Sequence, residues 1–351
     1  MRVESVLLAA VAAVLSLAAT PLAARLALRL GAVDLPGPRR VHAHPTPRLG
    51  GLAVAAAIVG AILLARMADA PAVGRLFEDG DRMRCLLAGG LIVVAVGVAD
   101  DVYGLSPAAK LLAETIAAAV ALAGGYGLGG VTNPFTGTYV ALGDGGALLT
   151  ILWIVAITNA FNLIDGLDGL AAGVGVIAAT TLLVVAWIEG RAEAVPLWAA
   201  LAGALGGFLV YNSAPASIFL GDSGSLLVGY LIALFALQGV EKSATLILLL
   251  APVLALGLPL VDVGLAVGRR AVAGGLAGVL HADRAHLHHR LVAEGLSHRR
   301  AVFVLYAVAS ACGALAVFAT VTQSVLNAVV VLGAALIVWI VLRWARARST
   351  R

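Results

Sequence analysis

Residues 147–188 read ALLTILWIVAITNAFNLIDGLDGLAAGVGVIAATTLLVVAWI. Two apolar runs, 147–162 and 170–188, flank a polar knot. The knot, residues 159–169, carries Asn159, Asn162, Asp165 and Asp168, with glycines at 166 and 169. Runs of this kind match the hydrocarbon thickness of a bilayer, which takes about 20 apolar residues per helix. Lipid leaves a single apolar segment no way to satisfy its backbone except as a helix. The knot then marks a turn at the membrane face, with its glycines allowing close approach to a ligand.

The rest of the chain repeats the theme. Its 351 residues are 62% hydrophobic and 12% charged, with a mean hydropathy of +1.04, whereas soluble domains carry about 25% charge. That balance excludes a disordered chain, a coiled coil and a soluble globular enzyme. Only two cysteines, Cys85 and Cys312, are present. Both sit in apolar runs and read as buried small hydrophobes, so a disulfide scaffold is also excluded. The net charge of +4 is no nucleic-acid signal; in a membrane protein the position of the basic residues matters more.

Eleven spans are expected, near 5–28, 50–68, 85–99, 106–124, 147–162, 170–188, 195–211, 223–239, 243–266, 301–321 and 325–343. The first run is longer than the 7–15 apolar residues of a signal peptide and reads as a span. The fold class is all-α: one polytopic membrane domain over 1–351, with a cytoplasmic loop at 269–300. With the N-terminus outside and the C-terminus inside, sixteen Lys and Arg face the cytoplasm and seven face outward, as the positive-inside rule favours. The same topology gathers every polar motif on the inner face. The outer stretch 129–146 reads as a hairpin cap.

Four constellations carry chemistry. Asp100 and Asp101 end an apolar span, where acids are costly and mark an ion or reaction site; paired carboxylates suit Mg²⁺ or proton abstraction. In 159–169, a helical start would put Asp165 and Asp168 on one face. In 219–225, a small-residue turn precedes a helix expected to start near Ser225. The N–H groups of such a terminus bind anions, and Asp222 beside it could hold a cation against a phosphate. In 283–290, three histidines, His286, His288 and His289, stand between Arg284 and Arg290. They read either as a transition-metal site or as a phosphate clamp. Glu114 and Asp262 are further acids within spans. Acids for a hard cation and a basic loop for anions, all on one face, are the equipment for phosphoryl transfer from a soluble nucleotide to a lipid-borne acceptor. The alternatives are a cation-coupled transporter with Asp100, Asp101 and Glu114 as its relay, and a structural partner in an envelope complex.

These motifs, with Pro47-Arg48-Leu49-Gly50-Gly51, resemble the polyprenyl-phosphate N-acetylhexosamine-1-phosphate transferases in order and spacing over residues 34–300. The His-x-His-His form and the eleven spans look more like the UDP-N-acetylglucosamine branch than the phospho-MurNAc-pentapeptide branch. The resemblance implies a reaction in which N-acetylhexosamine-1-phosphate, most simply GlcNAc-1-phosphate, passes from a UDP-sugar to undecaprenyl or another polyprenyl phosphate. UMP leaves and a lipid-linked cell-envelope glycan begins. It implies Mg²⁺, with Mn²⁺ as a substitute, and a bacterial plasma membrane; family members also form homodimers. It implies roles as well. Asp222 and Asn162 are at the metal, Asp100 deprotonates or orients the lipid phosphate, Asp101 is beside the metal, and His289 is catalytic. Arg48, Asn159, Asn162, Asp165, Asp168, Asn212, Phe219, His286 and His288 bind substrate, Phe219 by stacking on the uracil.

Overall fold

The computed structural model describes residues 2–35, 45–132, 138–237 and 295–322, with single positions at 253, 257, 291 and 333. The expected spans 243–266 and 325–343 lie outside the described residues. So do Asp262, most of the 269–300 loop, and His286, His288 and His289.

Among the described residues the protein is a bundle of helices: α1 Arg2–Leu30, α2 Gly50–Met67, a single turn α3 Pro71–Gly74, α4 Gly80–Tyr103, α5 Pro107–Ala123, α6 Asp144–Leu163, α7 Leu170–Ile188, α8 Ala194–Asn212, α9 Gly221–Leu237 and α10 His298–Thr322. Seven of them, α1, α2, α4, α6, α7, α8 and α10, are long and apolar enough to cross a membrane. A short ribbon pairs β1 Val33–Asp34 with β2 Thr46–Pro47. Within the predicted hairpin cap, β3 Gly130–Thr132 pairs antiparallel with β4 Tyr139–Ala141. Nine of the eleven expected spans therefore meet a helix.

Local chemistry sets the helix ends. Asp79 caps α4, accepting from Arg82 N–H at 2.9 Å. Ser106 caps α5, with Pro107 at the first helical position, where its missing N–H costs nothing. α4 runs well past the expected 85–99, because its charged ends are helical and hydropathy registers only the apolar middle.

The centre of the bundle is α9. Every residue of this helix is buried except Asp222, and α2, α4, α6, α7 and α8 all pack against it. Small residues allow the closest crossings, as in membrane bundles generally. Gly203 and Gly207 of α8 face the backbone of Ala9 and Ala13 in α1. At the start of α9, a Cβ on Gly97 of α4 would stand 2.5 Å from both Asp222 O and Ser223 N. No side chain there can give way, since the obstacles are backbone. Gly97→Ala is therefore expected to force α4 off α9, with a loss of about 1–3 kcal/mol from overpacking. A lowered thermal unfolding midpoint in detergent checks it.

Candidate active site

The polar motifs among the described residues converge at one end of the bundle, where α1, α4, α6 and α8 finish and α2, α5, α7, α9 and α10 begin. The segment before α9 is the hub. Phe219 N–H donates to Pro47 O at 2.8 Å, and Gly50 N–H and Gly51 N–H donate to Phe219 O and Leu220 O at 3.0 and 2.9 Å. Gly221 has φ +72°, and a Cβ there would strike Arg48 O and the Asp101 carboxylate. The motif thus needs glycine at this position for both backbone conformation and space.

Asp101 is buried and works as a cap supplied from another helix. Its Oδ1 accepts from Asp222 N–H and its Oδ2 from Ser223 N–H, both at 3.0 Å. Arg48 Nε lies 3.6 Å from Oδ1. Asp165 accepts from Gly221 N–H. Three successive N–H groups at the start of α9 are therefore taken by two carboxylates of the protein. This corrects two sequence expectations. The helix begins at Gly221 rather than near Ser225, because its caps come from α4 and from the knot after α6. Its terminus is also not open to a phosphate, since those donors are already used.

Asp165 sits in the turn after α6, partly buried. Burial, with the carboxylates of Asp222 and Asp101 nearby, pushes its pKa up to about 7 against the pull of Arg48 and the Gly221 N–H. Asp168 faces another way: its Oδ2 accepts from Ala216 N–H at 2.9 Å. The two acids do not share a helical face, because residues 164–169 form turns and α7 starts only at Leu170. Asp168 holds the middle of the segment between α8 and α9, and Asp165 holds its junction with α9. Asn212 is buried and holds the same segment through Ile218 O at 2.9 Å. From α10, Arg299 reaches Ala214 O at 2.7 Å and Tyr306 reaches Gly169 O at 2.5 Å.

The open part of the site is built around Asp222. Lys110 Nζ lies 2.7 Å from Asp222 Oδ2 and 3.5 Å from Asp100 Oδ2. The Asp100 and Asp222 carboxyls face each other at hydrogen-bonding range. Asp100 Oδ1 is held by Leu105 N–H at 2.7 Å, which fixes the turn into α5. Asn162 donates to Ser225 Oγ at 2.8 Å and to Asp222. Asn159 donates to the buried Glu114 and to Val155 O, the latter at 3.0 Å. Arg48 and Phe219 are half-buried beside this cluster.

Asp100, Asp101, Asp165, Asp222, Asn159, Asn162 and Arg48 are thus brought together. Asp168 and Asn212 brace the loop that carries Phe219. The sequence motifs leave Lys110 outside the site and offer Glu114 only as an acid within a span. The available signal was their spacing of four on one apolar helix, which places them on one face. Among the described residues, no three His, Cys, Asp or Glu side chains converge as a self-contained metal centre.

Residues 83–240 match the family model described as Glycosyl transferase family 4. The chain is 40% identical over 289 residues to a protein of Bacillus subtilis named as a probable undecaprenyl-phosphate N-acetylglucosaminyl 1-phosphate transferase, covering 82% of this chain and 77% of that one. This chain belongs to the polyprenyl-phosphate N-acetylhexosamine-1-phosphate transferases of glycosyl transferase family 4. It is also 37% identical over 324 residues to the decaprenyl-phosphate N-acetylglucosaminephosphotransferase of Mycobacterium tuberculosis, covering 86% of this chain and 79% of the relative. A phospho-N-acetylmuramoyl-pentapeptide-transferase of Halalkalibacterium halodurans matches over only 41% of this chain and 46% of its own length, at 38% identity. As a member of this family the chain is a multi-pass bacterial membrane transferase.

Proposed function

We propose that this transferase moves GlcNAc-1-phosphate from UDP-GlcNAc to a polyprenyl phosphate and releases UMP, with Mg²⁺ as cofactor. The observation that carries the reading is Asp222, the one residue of α9 left unburied, paired with Asp100 and Lys110 where the described motifs meet. The names of the relatives support the acceptor and the sugar. The acidic donor set supports the cation.

The residues fit Mg²⁺ by their chemistry. It favours hard oxygen ligands and is commonly held by one or two carboxylates together with substrate phosphates. A positive ammonium already sits between Asp222 and Asp100, so the pair attracts a cation. Asp222, Asp100 and the amide oxygen of Asn162 would hold the ion; when bound, it neutralises charge developing on the donor diphosphate.

The protein's own residues then do the following. Asp101 and Asp165 fix the start of α9 and so aim Asp222. Lys110 neutralises carboxylate charge and offers N–H donors to incoming phosphate oxygens. Phe219, held through its backbone to Pro47 and Gly50, presents an aromatic face for the nucleoside. An oxygen of the acceptor phosphate attacks the phosphorus that bears the sugar. A new P–O bond forms, the bond to the bridging oxygen breaks, and its electron pair leaves with UMP. A phosphate monoester carries about −1.5 to −2 charge at pH 7, so Asp100 serves chiefly to orient it. This reading places the site on the cytoplasmic face, with the N-terminus outside and the C-terminus inside, as the sixteen-to-seven split of basic residues favours.

The test uses purified protein in detergent with undecaprenyl phosphate, Mg²⁺ and a panel of UDP-sugars, reading UMP. Release is expected with UDP-GlcNAc and only when lipid and metal are both present. No release with any donor, from folded protein, would overturn the reading. Exchange of labelled UMP into UDP-GlcNAc without lipid would replace the single displacement with a covalent aspartyl route.

A further inference from the structure

Glu114 lies inside α5, 2% exposed, one turn beyond Lys110. Burying an acid there is costly unless it is well bonded. Its partner is the amide of Asn159 on the facing helix α6. The direction of that bond carries information. Both groups that meet the Asn159 amide, the Glu114 carboxylate and Val155 O, are acceptors. Only the nitrogen of the amide can face them, and its two hydrogens are then fully used. Asn159 itself is half-buried, so what it offers the site is its carbonyl oxygen, Oδ1.

We propose that Glu114 is a positioning residue that locks the polarity of Asn159, so that position 159 presents an acceptor to an electropositive group of the bound donor or its cation. This deepens the transfer reading above and rests on it. The neutral, shape-matched amide introduced by Glu114→Gln could bond Asn159 in either sense. It would loosen the lock, which then rests on Val155 O alone, without removing volume.

The test is a reciprocal exchange. Glu114→Gln is expected to lower kcat about 10²-fold, the scale of a misplaced active-site group, while the thermal unfolding midpoint stays that of the wild type. Asn159→Asp, which sets two carboxylates face to face, is expected to fail at least as badly. The double variant Glu114→Gln/Asn159→Asp keeps the net charge of the pair. The amide now at position 114 donates, and the carboxylate now at position 159 turns an oxygen to the site. This variant is expected to return to within about 10-fold of wild-type kcat, since a restored pair shows up as a non-additive coupling. A second readout needs no turnover: in unliganded protein labelled with ¹⁵N-asparagine, the Asn159 side-chain protons are expected to exchange slowly, and faster in Glu114→Gln. Wild-type kcat in Glu114→Gln would overturn the proposal. So would a double variant no better than the single one, a midpoint that falls in step with activity, or rapid exchange in the wild type. Wild-type protein with slow exchange but no UMP release would instead strike the transfer reading and leave the amide lock standing.

Discussion

Asp222→Asn is expected to reduce transfer about 10³-fold, the scale on which oriented charge stabilisation acts in active sites, and to leave the fold intact. Asp222 is the one residue of α9 that is not buried, and its carboxylate meets the side chains of Lys110, Asp100 and Asn162. Lys110 keeps a partner in Asp100, so the substitution strands no buried charge there. The loss should fall on kcat and on the apparent affinity for the proposed Mg²⁺, with an unchanged unfolding midpoint in detergent. Activity within 10-fold of wild type would remove Asp222 from the centre of the mechanism.

Asp101→Asn should behave in the opposite way. Its side chain faces inward to two N–H groups and to Arg48. The substitution sets an NH₂ group against one of those N–H donors and removes the carboxylate charge 3.6 Å from Arg48, leaving it the field of Asp165. Breaking a buried pair costs about 3–5 kcal/mol. Arg48 keeps a third of its side chain exposed, so a loss of about 2–4 kcal/mol is expected. The midpoint should drop clearly, and activity should drop with it because Asp222 loses its aim. An Asp101→Asn protein with wild-type stability but no activity would mean that Asp101 acts on substrate directly. Two acids meeting at one helix start are thus separable by a melting curve.

Much of this was legible in the chain. Hydropathy located the described helices because lipid imposes one length and one secondary structure on each crossing. The polar motifs stood out because acids and amides at membrane depth need a reason. Partnership was not legible. The run Asp100-Asp101 looks like one feature, yet the first acid faces the open site and the second faces a helix start far away in sequence. Asp165 and Asp168 looked like neighbours on a helix, but the glycines between and after them turn the chain instead. Lys110 looked like one more inner-face cation, since nothing local shows that Asp222 will lie 2.7 Å away. The contacts that join Lys110 to Asp222, Asp101 to the start of α9 and Asn159 to Glu114 have halves 112, 121 and 45 residues apart. Spacing along the chain has no access to such contacts.

The cap on α9 also sets a schedule for the ribosome. Asp101 and the N–H groups it serves are 121 and 122 residues apart, so the acid is made long before its partners. At about 5–20 residues per second the interval is roughly 6–24 s. Through nearly all of it Arg48, Asp100, Asp101 and Lys110 are already made, so each acid has a cation in the chain before α9 exists. The arrival of α9 then adds Asp222 to a lysine that keeps Asp100 as well. Among the described residues α9 is the last central helix to be made, and it alone brings Asp222 to Asp100 and Lys110.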